Sequence, residues 1–136
     1  MLTDDQVSVL RTALGPLEIR VMEIIWENGD VTVQQVLDEL NQEHRDYAYT
    51  TIMTVMSRLA NKGLLNRETS GRFYTYKPVF EPDELMTHFS SKAVEEILKD
   101  FGELAIAQFV DTIGNNPDYL KKLKLFIDRL DQGTEP

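Results

Sequence analysis

Thr50-Thr51-Ile52-Met53-Thr54-Val55-Met56-Ser57-Arg58-Leu59-Ala60-Asn61-Lys62 is the stretch on which the fold turns. Ile52, Val55, Met56 and Leu59 recur at helical spacing and form a narrow apolar stripe that other helices must cover. At about 100° per residue the opposite face carries Thr50, Thr54, Ser57 and Asn61, with Thr51, Met53 and Arg58 on its flanks. An ordinary exposed helix would show Glu and Lys there. Short hydroxyl and amide groups instead let a helix lie close to another surface without burying unpaired charge.

Upstream, two shorter helices are punctuated by their own signals. Gly15-Pro16 opens one and Asn28-Gly29 stops it, with Leu17, Val21, Met22, Ile25 and Trp26 as a broad apolar face; Trp26 reads as core. The next is expected over 31–41. Thr32 and Gln35 form a capping box, and Val33, Val36, Leu37 and Leu40 give the apolar stripe. Downstream, Gly63 ends the key helix and the period changes from 3.6 to 2. Residues 64–69 and 72–77 then read as two strands around Ser70-Gly71, closed by Pro78. Three helices and a hairpin are the order of a winged helix-turn-helix.

The charge pattern agrees. The chain carries a formal net charge of -9, which opposes phosphate binding if taken as a whole. Between Arg45 and Lys77, however, six basic residues (Arg45, Arg58, Lys62, Arg67, Arg72 and Lys77) stand against Asp46 and Glu68 alone. A basic island in an acidic chain is a local footprint. A helix of about 13 residues is about 20 Å long, and its first turns fit a major groove about 12 Å wide. Thr50, Thr51, Met53 and Thr54 are therefore expected at base edges, and Met53 can touch a thymine methyl. Arg58, Lys62, Arg67 and Arg72 are expected at the DNA backbone, with Arg67 and Arg72 near the hairpin tip also able to reach the minor groove.

From Glu81 the pattern is helical again, opened by Pro82-Asp83-Glu84, with Gly102 as a break or kink. A second segment runs to Gly114-Asn115-Asn116-Pro117, and the last helix repeats Leu120, Leu123, Ile127 and Leu130. The expected architecture is mainly α with a small β-hairpin. Residues 1–80 form the DNA-binding module and 81–136 a helical dimerisation region, with a disordered tail from Gly133. Short helices cannot hide their apolar faces alone, so Leu104, Phe109, Val110, Ile113, Leu120, Leu123, Phe126, Ile127 and Leu130 are expected at the interface of a homodimer. Such a dimer suits a pseudo-palindromic operator.

Other classes find little support. Cysteine is absent, which removes disulfides and thiolate metal sites. His44 and His88 are the only histidines and lie on separate elements, so no metal-ligand pair forms and no cofactor is expected. With no phosphate-cradling loop, an enzyme is not indicated. The opening residues, with Asp4 and Asp5, do not read as a signal peptide, and no apolar run spans a bilayer, so a cytoplasmic protein is expected. A winged helix used as a protein-interaction module, or a ligand-responsive regulator, is the alternative.

The run from Ala48 to Leu59, followed by Lys62-Gly63-Leu64, resembles the recognition-helix signature of the penicillinase-repressor (BlaI/MecI/CopY) family. Leu17-Glu18 through Trp26 resembles its first helix, and Gly71-Arg72 through Tyr76-Lys77-Pro78 its wing. The likeness covers residues 14–80 with specific motifs and is looser over 81–130. It implies a bacterial homodimeric repressor of genes such as β-lactamases, cell-wall functions or copper export. It also implies a sensor peptidase that cleaves the C-terminal region, near Ala107-Gln108-Phe109-Val110 by position. The family's cleaved bond typically has Asn before Phe, where this chain has Gln108. Copper-responsive members carry a cysteine cluster, so that branch is excluded. Some relatives have a basic residue where Met53 stands.

Overall fold

The computed structural model describes residues 1–43 and 46–133. His44, Arg45 and the end of the tail expected to be disordered lie outside the described residues. The chain divides into two compact units, Met1–Ser91 and Lys92–Pro136.

The first unit opens with a helix that the periodicity did not single out, α1 (Asp4–Arg11). Its signal is a capping box in which Thr3 Oγ1 accepts from the Gln6 amide while Gln6 Oε1 accepts from the Thr3 amide. Eight residues are too few to hold a helix in water, so tertiary contact must stabilise it. Leu10 is fully buried, and Gln6 Nε2 donates to Asp83 Oδ1 at 2.9 Å, 77 residues away in sequence.

Next come α2 (Pro16–Asn28), α3 (Val33–Gln42) and α4 (Tyr49–Asn61). The expected stripes are buried at Val21, Met22 and Ile25 of α2, where Leu17 is half-buried, at the four apolar positions of α3, and at Ile52, Val55, Met56 and Leu59 of α4. Trp26 is a difference. It is half-buried at the edge of the core, where its indole N–H donates to the Phe80 carbonyl at 2.9 Å and ties α2 to the segment leading into the next helix. The capping box of Thr32 and Gln35 is present as expected. Val31, though, precedes α3 rather than opening it, because its N–H and C=O both pair with Tyr76, at 3.0 and 2.7 Å.

The hairpin is β1 (Leu65–Ser70) against β2 (Phe73–Pro78), in register from Leu65↔Pro78 to Ser70↔Phe73. Gly71 takes φ 65°, a conformation that strains other residues, and Arg72 sits in the two-residue turn rather than in the strand. Of the alternating β2 side chains, Tyr76 is buried in the core while Phe73 and Tyr74 are exposed.

Helix α5 (Pro82–Phe101) begins in the first unit, where Leu85 is fully buried, and ends in the second. Gly102 at φ 57° breaks the run, α6 (Glu103–Gly114) follows, and Asn116 caps α7 (Pro117–Asp131) by accepting from the Asp118 and Tyr119 amides. Helix α6 packs on α7. Among the described residues of this second unit none is buried, so these helices meet without closing a core.

Candidate nucleic-acid interface

The apolar stripe of α4 is locked into the core, so helical geometry fixes what its other side presents. Thr50, Thr51, Met53, Thr54 and Arg58 are all exposed. Met53 is 41% exposed, unusual for a thioether that gains by burial. Tyr49, at the first turn of α4, is exposed beside it and was not singled out in the sequence. The Thr54 hydroxyl donates to the Thr50 carbonyl at 2.8 Å. That bond turns its oxygen lone pairs outward as acceptors, while Thr50 and Thr51 keep hydroxyls available to donate or accept.

The basic residues are held in different ways. Arg58 is exposed on α4. Lys62, the C-terminal cap residue of α4, is engaged: its Nζ donates to Glu18 Oε2 at 2.9 Å. Glu18 belongs to the first turn of α2, and its other oxygen accepts from the Gly15 amide at 3.1 Å. Burial pushes the Glu18 carboxyl up, but the Gly15 N–H, the Lys62 ammonium and the Arg58 charge together hold it below its ordinary value. Arg67 lies on β1 with its guanidinium 4.5 Å from the centre of the Tyr74 ring, a cation–π arrangement that orients it along the wing. Arg72 is exposed in the turn. Lys77 meets Glu68 at 3.0 Å, and this carboxylate raises the lysine's pKa.

The wing also shows two aromatic groups that alternation alone did not mark as exposed. Phe73 is 65% and Tyr74 50% exposed, directly beside Arg72 and Arg67. Aromatic and basic side chains side by side at a hairpin tip suit contact with sugar and phosphate. Glu18 was likewise missed as a partner of Lys62, since the two lie 44 residues apart.

No group of three His, Cys, Asp or Glu among the described residues could hold a metal ion, and no helix is long and apolar enough to cross a membrane. His88 stacks on Phe80, ring centres 4.7 Å apart. The residues expected at a dimer interface lie on α6 and α7: Leu104, Phe109, Val110, Phe126, Ile127 and Leu130 are exposed, and Ile113, Leu120 and Leu123 half-buried. Val94, Ile97, Leu98 and Phe101 of α5 add to this apolar surface and were not among them.

A helical core with one polar helix face and an adjoining basic hairpin defines a winged helix-turn-helix regulator of transcription. The family described as penicillinase repressor matches residues 14–129. The chain belongs to that family, and it is a DNA-binding transcriptional repressor rather than an enzyme. It is 39% identical over 106 residues to the transcriptional regulator BlaI of Mycobacterium tuberculosis, covering 76% of this chain and 75% of that one. The methicillin resistance regulatory protein MecI of Mammaliicoccus sciuri is 23% identical over 116 residues, covering 85% of this chain and 94% of its own. Among solved structures, the archaeal chromatin protein TrmBL2 is similar in fold, with a TM-score of 0.51 and 18% identity over 85% of this chain and 45% of that one. The family match begins at residue 14, so α1 stands outside it.

Proposed function

We propose that the protein represses transcription as a cytoplasmic homodimer that places two copies of α4 in successive major grooves of a pseudo-palindromic operator. Residues 1–80 would be the DNA-binding module and 81–136 the dimerisation region. One observation carries the DNA part: α4 buries its whole apolar stripe and exposes Thr50, Thr51, Met53 and Thr54 at one end and Arg58 toward the other. Threonine hydroxyls and the Met53 methyl suit base edges, the latter a thymine methyl. Arg58, Arg67 and Arg72, with Lys62, suit phosphate, and Phe73 at the wing tip suits the sugar edge.

The dimer part rests on the second unit. Large apolar side chains such as Phe101, Leu104, Phe109 and Leu130 are each 54% or more exposed. A patch of that extent on one protomer calls for a partner surface, and a second copy supplies one of matching chemistry. Sedimentation equilibrium tests it. Wild type is expected as a dimer and Ile127→Asp as a monomer, whereas a variant that stays dimeric would remove α7 from the interface.

Release by a sensor peptidase extends this reading. Gln108-Phe109 is exposed but lies inside α6, and peptidases bind extended chain, so cleavage there requires α6 to unwind first. Hydrogen exchange faster in α6 than in α4 would support that route, and cleavage absent from purified protein with the peptidase would contradict it.

A further inference from the structure

We propose that Glu18 lowers the sequence-independent DNA affinity of this repressor by competing with phosphate for Lys62. The inference rests on the reading of Lys62 and Arg58 as residues at the DNA backbone. Its basis is the asymmetry of the pair. Glu18 is 19% exposed and fixed from two sides, by the Gly15 amide at 3.1 Å and the Lys62 ammonium at 2.9 Å. Lys62 is 46% exposed and ends a flexible four-carbon stem at the C-terminal cap of α4. The carboxylate stays where it is, and the ammonium is the member of the pair that can change partners.

A phosphate must therefore take Lys62 from an anion already in contact with it. The carboxylate is shielded more than the ammonium, so salt screens this pair less than it would screen two fully exposed groups. The Arg58 charge also acts on this carboxylate and helps to hold the Glu18 pKa below its ordinary value. One anion thus faces two of the cations that would meet the DNA backbone. The acceptor for the Gly15 N–H explains why the position carries a long oxygen-bearing side chain. Glutamine would cap the helix as well, so the charge serves the positive end of the α2 dipole and the pair with Lys62.

The experiment follows binding of the full-length protein to a labelled random-sequence duplex of about three helical turns, between about 50 and 200 mM salt. Glu18→Gln keeps the capping oxygen and removes the charge, and its thermal melt checks that the fold is intact. Freed Lys62 adds one phosphate contact, so log K against log salt steepens by about 0.9, which is about eightfold tighter binding at 0.1 M salt. Adding Lys62→Ala to Glu18→Gln then returns the slope to its wild-type value. A slope in Glu18→Gln equal to or shallower than wild type would overturn the proposal, and would mean that Glu18 aims Lys62 at phosphate. A steeper slope that survives the added Lys62→Ala would overturn it too, since Lys62 would not be the released cation. If wild type itself bound without salt dependence, the backbone reading of Arg58 and Lys62 would fail with it.

Discussion

The two units of this chain solve the problem of burying apolar surface in opposite ways. In the first, Leu10, Met22, Leu40, Ile52, Met56, Leu59 and Leu85 are inaccessible to solvent, and large apolar groups left outside, such as Tyr49, Met53, Phe73, Tyr74 and Val79, are few. In the second no described residue is buried, and leucine, isoleucine, valine and phenylalanine side chains stand exposed along three helices. The first unit closes its core within one chain; the second leaves its apolar side chains exposed, as the proposed dimer requires. On the proposed reading, one unit works from the outside of a closed core and the other through the lack of one.

That contrast can be broken or sharpened by substitution. The largest effect is expected in the second unit. Phe109→Asp puts a charge into the proposed dimer surface and uncouples two half-site interactions, lowering operator affinity by about 100-fold or more in filter-binding or anisotropy titrations. Affinity within a fewfold of wild type would mean that α6 does not hold the dimer. Next comes the first unit's core. Leu59→Ala leaves a cavity under α4 and should cost about 2–5 kcal/mol in urea denaturation. The midpoint for Leu104→Ala should in contrast depend on protein concentration if, as proposed, the surface it trims is buried by a partner. A midpoint for Leu104→Ala that ignores concentration would erase the distinction between the units.

Smaller effects are expected at the DNA face. Arg58→Ala should weaken binding to every duplex and reduce the salt slope by about 1, whereas Thr51→Ala should cost about 1–3 kcal/mol on the operator alone. If both substitutions acted equally on operator and random DNA, base and backbone roles would not be divided as proposed. The smallest effect is on acid stability. The Glu18 carboxyl is held below its ordinary value in the folded protein, so its stabilising contribution is full above the unfolded pKa and is lost as pH falls through the folded one. Glu18→Gln should flatten that part of the stability–pH curve, read from melts at acidic pH, and leave the neutral-to-alkaline part unchanged in shape.

How much of this was legible depends on the range of the contact. The α4 stripe, the capping box at Thr32 and the hairpin are written in neighbours three, four or two residues apart, and they were readable for that reason. Helix α1 was not, because its stability comes from Leu10 in the core and from Gln6 reaching Asp83. Val31 read as helix because nothing local announces its pairing with Tyr76. The exposed threonines of α4 follow from periodicity, while the engagement of Lys62 by Glu18 is a tertiary fact that no spacing encodes. Alternation assigned β2 residues to two faces without saying that the core reaches only Tyr76 and leaves Tyr74 outside. In the second unit the apolar pattern was plain from the start. What the structure adds is that one chain does not bury it.

The most direct test is enrichment of random-sequence duplexes by the purified full-length protein at low salt, followed by sequencing. An inverted repeat is expected, its half-sites about one helical turn or a multiple apart, so that two α4 helices meet two major grooves on one face of the DNA. No enriched motif, or a single half-site with no partner, would contradict the dimeric repressor proposed here.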